Sequence, residues 1–305
     1  MRILTYRDLE SKSSLLPLME QAFGWPFDPR EFEKYVKMDP GLRNGVVGFC
    51  GVENGCVVGF VGVMDLATRT LNGTVEYMGG IYGVATLPGH TRRGIAKRLL
   101  NSANQYFSKK GYRFSFLNTS PTLVAYALYC KLGYEDVVEY PCAYRMFETQ
   151  KPASSSVAEN SGFDPNKVLK IYEEYVNDKT GFVVRDRAYL RTAMKHERLT
   201  ARQLIASEKG YVFFRRERGL VRIIELVALD AEEMNRLIGL VEEKARDLVF
   251  GRAFLDEALR RVYRSRGYVV LERGHGVLMA KGLTADASIR GTYGRRFYIS
   301  RLDNF

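Results

Sequence analysis

A turn rich in glycine and arginine stands where a strand-like segment gives way to a helix, near residue 90. The turn holds Arg92, Arg93 and Gly94, and the segment after it has apolar residues at helical spacing. The first turn of a helix has backbone N–H groups without partners, and these groups favour an anion together with the helix dipole. The two guanidinium groups add positive charge there. The segment therefore predicts a pyrophosphate site, with a solvated basic helix start as the alternative.

A second segment makes this interpretation more specific. It begins at Asn118 and continues into a helix that contains Tyr126 and Tyr129 and ends at Gly133 and Tyr134. Together the two segments resemble the GNAT superfamily of acetyl-CoA-dependent N-acyltransferases, over residues 1–148.

The resemblance implies a cosubstrate and a set of residues that bind it. The cofactor motif of the family reads Gln/Arg-x-x-Gly-x-Gly/Ala; this chain matches it at Gly94 and Ala96 but has Thr91 at its first position. Acetyl-CoA is then the expected cosubstrate, held by Val84, Ala85, Thr86, Thr91, Arg92, Arg93, Gly94, Ile95, Ala96 and Asn118. Tyr129 is the residue that matches the general acid of the family, which protonates the departing CoA thiolate. Tyr126, one helical turn earlier, is the tyrosine most easily mistaken for it.

The general base is less evident. Alignment on Gly94 places Gly80 at a position where many family members have a glutamate. Glu76 lies on the same face of that strand by the period of two and can act through water, with a solvated strand glutamate as the alternative.

The aromatic-rich end of the chain, residues 297–305, is predicted to be mostly strand. The chain also resembles the enhanced intracellular survival (Eis) family, tandem GNAT enzymes in which the terminal carboxylate can enter the acceptor site. The carboxylate of Phe305 is thus a further candidate, with docking onto its own domain as the alternative.

The elements around these motifs follow from local patterns. Asn54-Gly55 between two β-rich runs predicts a hairpin. The glycines at 79, 80 and 83 predict a bulge or the close approach of a ligand to the backbone. Strands are predicted over residues 1–6, 46–53, 56–66, 75–87, 114–118, 137–140 and 143–147, and helices over 9–23, 29–38 and the two motif segments.

A chain of 305 residues is too long for one such domain. We predict a catalytic GNAT domain over residues 1–150, a serine-rich linker over 151–162 and a second domain over 163–305. The fold class is α/β, with mixed sheets in tandem GNAT-like folds.

An internal repeat indicates the second domain. Tyr263 and the Gly267-Tyr268 pair repeat the spacing of Tyr129 and its glycine, with a chance similarity as the alternative. Where the first half has its arginine turn, the second has Asp230 and two glutamates. An acidic helix start repels a pyrophosphate, so the second copy should be degenerate and bind no CoA there.

Charge and composition limit the classes of partner that the sequence favours. The net charge is +11, of which +3 lies in residues 1–150 and +8 in the rest. The cations alternate with acidic residues, which favours a solvated surface over a nucleic-acid partner. No apolar run has the length of a signal peptide or a membrane span, which predicts a cytoplasmic protein without a membrane partner.

We expect an N-acetyltransferase acting on a small-molecule or peptide amine, with a homo-oligomer left open. A CoA-binding sensor or scaffold without turnover, or an RNA-associated acetyltransferase, is the alternative.

Overall fold

The computed structural model describes residues 1–24, 27–147, 163–252, 254, 256–274 and 276–303. These residues form two compact units. The first contains residues 1–137 and 277–294, and the second contains residues 138–276 and 295–303. Each unit has one mixed sheet flanked by helices, so the predicted fold class is confirmed.

The sheet of the first unit has seven strands in the order β1-β2-β3-β4-β5-β13-β6. Among its described pairings β4 and β5 are parallel, and both flank the predicted site. The strands are β1 (Arg2–Thr5), β2 (Gly48–Glu53), β3 (Cys56–Arg69), β4 (Val75–Thr86), β5 (Phe114–Thr119), β6 (Glu135–Glu139) and β13 (Val277–Gly282). The helices are α1 (Leu16–Phe23), α2 (Pro29–Met38), α3 (Ile95–Lys109), α4 (Val124–Lys131) and α9 (Ile289–Tyr293).

Local sequence signals account for much of this unit. Asn54 and Gly55 both have positive φ, as a tight hairpin between β2 and β3 requires. The apolar stripe of α3 is buried in the core. Its Phe107 ring lies against the backbone of Gly79, where an added Cβ would stand 2.4 Å from the ring. Gly79 therefore serves helix packing.

The sheet of the second unit has the order β12-β7-β11-β10-β9-β8. It repeats the pattern of the first sheet, with antiparallel β8, β9 and β10 followed by the parallel pair β10 and β11. The strands are β7 (Cys142–Met146), β8 (Leu204–Ala206), β9 (Gly210–Glu217), β10 (Leu220–Ala228), β11 (Leu248–Gly251) and β12 (Val269–Leu271). The helices are α5 (Pro165–Val176), α6 (Arg187–His196), α7 (Ala231–Glu242) and α8 (Glu257–Ser265).

Strand exchange changes the expected division of the chain. The sequence assigns residues 143–147 to the first domain, but β7 pairs with β11 and β12 in the second sheet. Conversely β13, expected in the domain over 163–305, pairs with β5 in the first sheet. Each sheet thus takes its penultimate strand from the other half of the sequence. The boundaries of 1–150 and 163–305 therefore do not match the compact units.

Two local predictions also differ from the structure. The helix expected over residues 9–23 begins with a short 3₁₀ helix, Lys12–Leu15, before α1. The terminal segment expected as a strand has a single bridge at Phe297 and a 3₁₀ turn, Arg301–Asp303. The linker over 151–162 lies outside the described residues. Within the part of the chain that is described, no helix has the length and apolarity to cross a membrane.

Candidate active site

Two neighbouring parallel strands of the first unit part at the centre of the sheet. Their pairing covers Gly79 to Ile81 of β4, although β4 continues to Thr86 and β5 to Thr119. A bulge lies just beyond the last pair. Gly83 has φ of +59°, and the register places Tyr82 opposite Gly62 but Ala85 opposite Phe60. Two residues of β4 thus face one residue of β3 there, which redirects the amides that follow, including that of Val84. The predicted bulge is present, and we call the gap between β4 and β5 beyond Ile81 and Leu117, where no pairing joins the two strands, the cleft.

The glycine turn follows directly after β4. Gly94 is the N-cap residue of α3 with φ of +75°, and it has no side chain to accept from the first-turn N–H groups. Ile95 is buried and Ala96 is half-buried in that first turn. The Thr91 hydroxyl donates to the carbonyl oxygen of Pro88 at 2.9 Å, so its proton is used within the turn. The helix start is uncapped, as an anion site requires.

The two arginines of the turn differ in their partners. Arg93 donates to both carboxylate oxygens of Glu53, at 3.0 and 3.1 Å, and is half exposed. The His90 Nε2 lies 3.7 Å from the same carboxylate. Arg92 is exposed with φ of +62°, and no described residue forms an ion pair with it. Of the two guanidinium groups, Arg92 is the one available to an incoming phosphate.

The two tyrosines of α4 have different surroundings. Tyr129 is 6% exposed, its ring packs edge-on against Tyr134, and its hydroxyl has no hydrogen-bond partner among the described residues. Burial raises the pKa of Tyr129 to about 12, so the phenol keeps its proton at neutral pH. The Tyr126 hydroxyl instead donates to Asp136 Oδ2 at 3.0 Å. Tyr134 is fixed by Ser115 Oγ at 2.8 Å and Asn104 Oδ1 at 2.9 Å, which holds the end of α4 against the core.

The remaining predicted residues fall into two groups. Val84, Ala85 and Thr86 form the end of β4 beside the cleft, and Asn118 is half-buried on β5 beyond the last pair with β4.

Glu76 lies at the opposite end of β4, eight residues from Val84 or about 26 Å at about 3.3 Å per residue. Arg113 holds its carboxylate through two hydrogen bonds of 2.8 and 2.6 Å. The structure therefore does not bring Glu76 to the cleft. Phe305 lies outside the described residues.

The sequence patterns miss a polar cluster beside the bulge. The Tyr82 hydroxyl donates to the carbonyl oxygen of Val47 at 2.9 Å, and Val47 is a buried β-branched residue with φ of +66°. Burial raises the pKa of Tyr82 well above its usual value, and the neighbouring Tyr35 and Asp39 raise it further. Asp39, at the end of α2, is 3% exposed. Only the tertiary fold brings these groups to the bulge, so no local signal could have found them.

The repeated tyrosine spacing has a structural basis in the second unit. In both copies the second tyrosine N–H donates to the carbonyl of the first, after a glycine with positive φ. The helix after β10 begins at an acidic cap, because Asp230 accepts from the N–H of Glu233 at 2.8 Å. That carboxylate occupies the position where a phosphate would bind. Among the described residues, no cluster of side chains could hold a metal ion.

Comparisons with known proteins agree with this geometry. A sequence model of the acetyltransferase (GNAT) domain matches residues 6–137. A GCN5-related N-acetyltransferase from Kribbella flavida has 16% identity and a TM-score of 0.66, over 92% of this chain and 72% of its own. One from Anabaena variabilis has 18% identity and a TM-score of 0.67, over 93% and 73%.

A third similar structure is Eis1 from Mycobacterium abscessus, with 18% identity and a TM-score of 0.65 over 92% of this chain and 73% of its own. Comparison with curated proteins finds no match. The structural likenesses extend across both units and establish the fold. The sequence match identifies an acetyltransferase (GNAT) domain over residues 6–137, a family whose enzymes transfer acyl groups from acyl-CoA.

Proposed function

We propose that the first unit is an N-acetyltransferase that transfers the acetyl group of acetyl-CoA to a primary amine by direct attack. The observation that carries this proposal is one shared cleft. An uncapped helix start with the unpaired Arg92 lies at the end of β4, and β4 and β5 part beside it. This combination fits a phosphate-bearing cosubstrate with a narrow arm. Bound there, acetyl-CoA supplies the activated acyl group.

The residues of the unit have distinct roles in this proposal. Arg92 and the first-turn amides of α3 bind the pyrophosphate, since both are available to an anion. The amides after the Gly83 bulge orient and polarise the carbonyl group. Tyr129 donates its proton to the departing thiolate, which its raised pKa keeps available at neutral pH. Asp39 and the tyrosines beside the bulge are anionic or polar groups suited to an amine acceptor.

The test separates binding from turnover. We expect Arg92→Gly to weaken acetyl-CoA binding by about 10-fold or more, the scale of a lost charge-assisted hydrogen bond. Glycine is chosen because it adopts the positive φ of Arg92 without strain. A loss of acetyl-CoA affinity then comes from the missing guanidinium charge. Lys109→Gln, at the far end of α3, removes one charge from the same helix and should leave calorimetric affinity unchanged.

Turnover is then measured as thiol release from acetyl-CoA with primary amines and matched tertiary amines. The proposal requires release with primary amines alone, because a tertiary amine has no proton to lose after attack. Binding without release for any amine would instead identify a sensor or scaffold. Equal affinity of the wild type and Arg92→Gly would remove the phosphate assignment.

A further inference from the structure

The second unit contains a cavity of about 580 Å³ at the point where its parallel strands stop pairing. The pairing of β10 with β11 ends at Ile223 and Gly251, whereas β10 continues to Ala228. A register shift between Ile223 and Glu225 marks a bulge beside the cavity. The degenerate unit thus keeps a bulge and parted strands, although its helix start excludes a phosphate. The volume lies within the range of small-molecule sites.

The walls combine apolar and charged groups, and the acidic groups already have partners. Arg185 and the hydroxyl of Tyr211 bind Glu225, at 2.7 to 2.8 Å. Asp256 caps α8 and accepts from the hydroxyl of Tyr175 at 3.1 Å. Phe182, Phe254 and Tyr298 supply aromatic surface. Glu225 is therefore paired with a cation, whereas Asp256 is held by neutral donors at the start of α8.

Arg252 lies on this wall without such a partner. It follows β11, is partly buried, and has no carboxylate within ion-pair distance among the described residues. Burial, together with the neighbouring Arg301, Arg222 and Arg215 and against the opposing effect of Glu197, lowers the pKa of Arg252 to about 10. The contrast with Arg185 is direct, because that buried guanidinium is held by both Glu225 and Asp303. Arg252 is an incompletely neutralised cation that faces a cavity.

We propose that this cavity binds an organic monocarboxylate, with the Arg252 guanidinium paired to the carboxylate and the aromatic walls around the apolar body. A planar guanidinium matches a carboxylate through two parallel hydrogen bonds. Lys179 and Arg260 also line the cavity and are partly buried, but both are paired with carboxylates, and the lining Arg261 and Arg295 are exposed. Arg252 is thus the partly buried lining cation without a carboxylate partner among the described residues, which favours a ligand with one negative charge. The inference concerns the second unit and does not rest on the proposed acetyl transfer.

The test uses the full chain and three eight-carbon probes: octanoate, 1-octanol and octyl phosphate. Calorimetry should show that octanoate binds at least about 10-fold more tightly than 1-octanol, and more tightly than octyl phosphate. Arg252→Gln should reduce octanoate affinity by about 10-fold or more and leave acetyl-CoA affinity unchanged. Arg246→Gln, which removes an exposed charge outside the cavity, is the matched control and should bind octanoate as the wild type does.

A folding defect is separated from a binding defect by thermal unfolding without probe. Arg252→Gln removes an incompletely neutralised charge, so its unfolding temperature should equal or exceed that of the wild type. Absence of octanoate binding, equal binding of octanoate and 1-octanol, preference for octyl phosphate, or unchanged octanoate affinity in Arg252→Gln would each overturn the proposal.

Discussion

Two tyrosines one turn apart on α4 show how surroundings distinguish residues of the same type. Tyr126 uses its hydroxyl in a hydrogen bond with Asp136, whereas Tyr129 is buried with its hydroxyl unbonded among the described residues. A proton donor must be protonated and able to reach the reacting atom. Tyr129 meets the first condition through its raised pKa, and the hydroxyl of Tyr126 is already bound. The structure thus separates the two tyrosines where the sequence shows only their spacing.

Tyr129→Phe tests this assignment at the level of one oxygen atom. The ring and its packing against Tyr134 remain, so acetyl-CoA binding should be retained. Because the proton donor is lost, we expect kcat to fall by about 100-fold or more. Measurement of kcat and of calorimetric affinity on the same preparations checks both expectations.

Tyr126→Phe is the control, since it removes a hydroxyl from the same helix and should leave kcat nearly intact. The wild-type kcat should also show no loss from deprotonation of Tyr129 up to about pH 10, because its pKa is raised to about 12. The reverse result, with turnover lost in Tyr126→Phe and kept in Tyr129→Phe, would show that the wrong tyrosine of α4 is assigned.

Strand β4 combines two uses of glycine that the sequence does not distinguish. Gly83 permits the bulge through its positive φ, and Gly79 accommodates the ring of Phe107 from α3. The sequence predicts a bulge or the close approach of a ligand for the glycines at 79, 80 and 83 alike. Only the packed helix shows that Gly79 serves the contact between α3 and β4.

Gly79→Ala should therefore destabilise the protein by about 1–3 kcal/mol, because a Cβ at 2.4 Å from the Phe107 ring displaces the helix or the strand. The midpoint of urea unfolding measures the change. Gly89→Ala is the matched control, since its Cβ would meet no atom within 4 Å and its φ is not positive. It should shift stability by less than about 0.5 kcal/mol. Equal effects of the two substitutions would show that the contact with Phe107 is unimportant.

The elements that sequence patterns predict well are those determined locally. The Asn54-Gly55 hairpin, the turn at Gly94 and the acidic cap at Asp230 each depend on a few adjacent residues. The ion pair of Glu76 with Arg113 joins residues far apart in sequence, so the strand pattern alone makes Glu76 a candidate base. Strand partners are equally non-local, because a short apolar strand fits the edge of either sheet. The exchange of β7 and β13 was therefore outside the reach of sequence reasoning.

At the scale of the whole molecule, the chain contains two similar sheets that have diverged at their helix starts. The first keeps an uncapped glycine turn, and the second has a carboxylate cap at the same point. Each sheet is nevertheless completed by a strand from the other half of the sequence. Neither half is therefore a complete folding unit, although each bears its own core.

A fragment of residues 1–150 tests this dependence. It lacks β13, which pairs with β5 at six positions and whose Lys281 donates to the carbonyl oxygen of Leu132 at the end of α4, at 2.6 Å. Removal of β13 leaves an unpaired strand edge and uncovers the core around Met279. We expect this fragment to aggregate or to lack a cooperative thermal transition, and not to bind acetyl-CoA.

The control joins residues 1–137 through a flexible Gly/Ser linker to 277–294 and so supplies β13 again. It should regain the cooperative thermal transition, measured by circular dichroism, and the binding of acetyl-CoA, measured by calorimetry. A monomeric 1–150 fragment with a cooperative transition and wild-type affinity would demonstrate that β13 is dispensable.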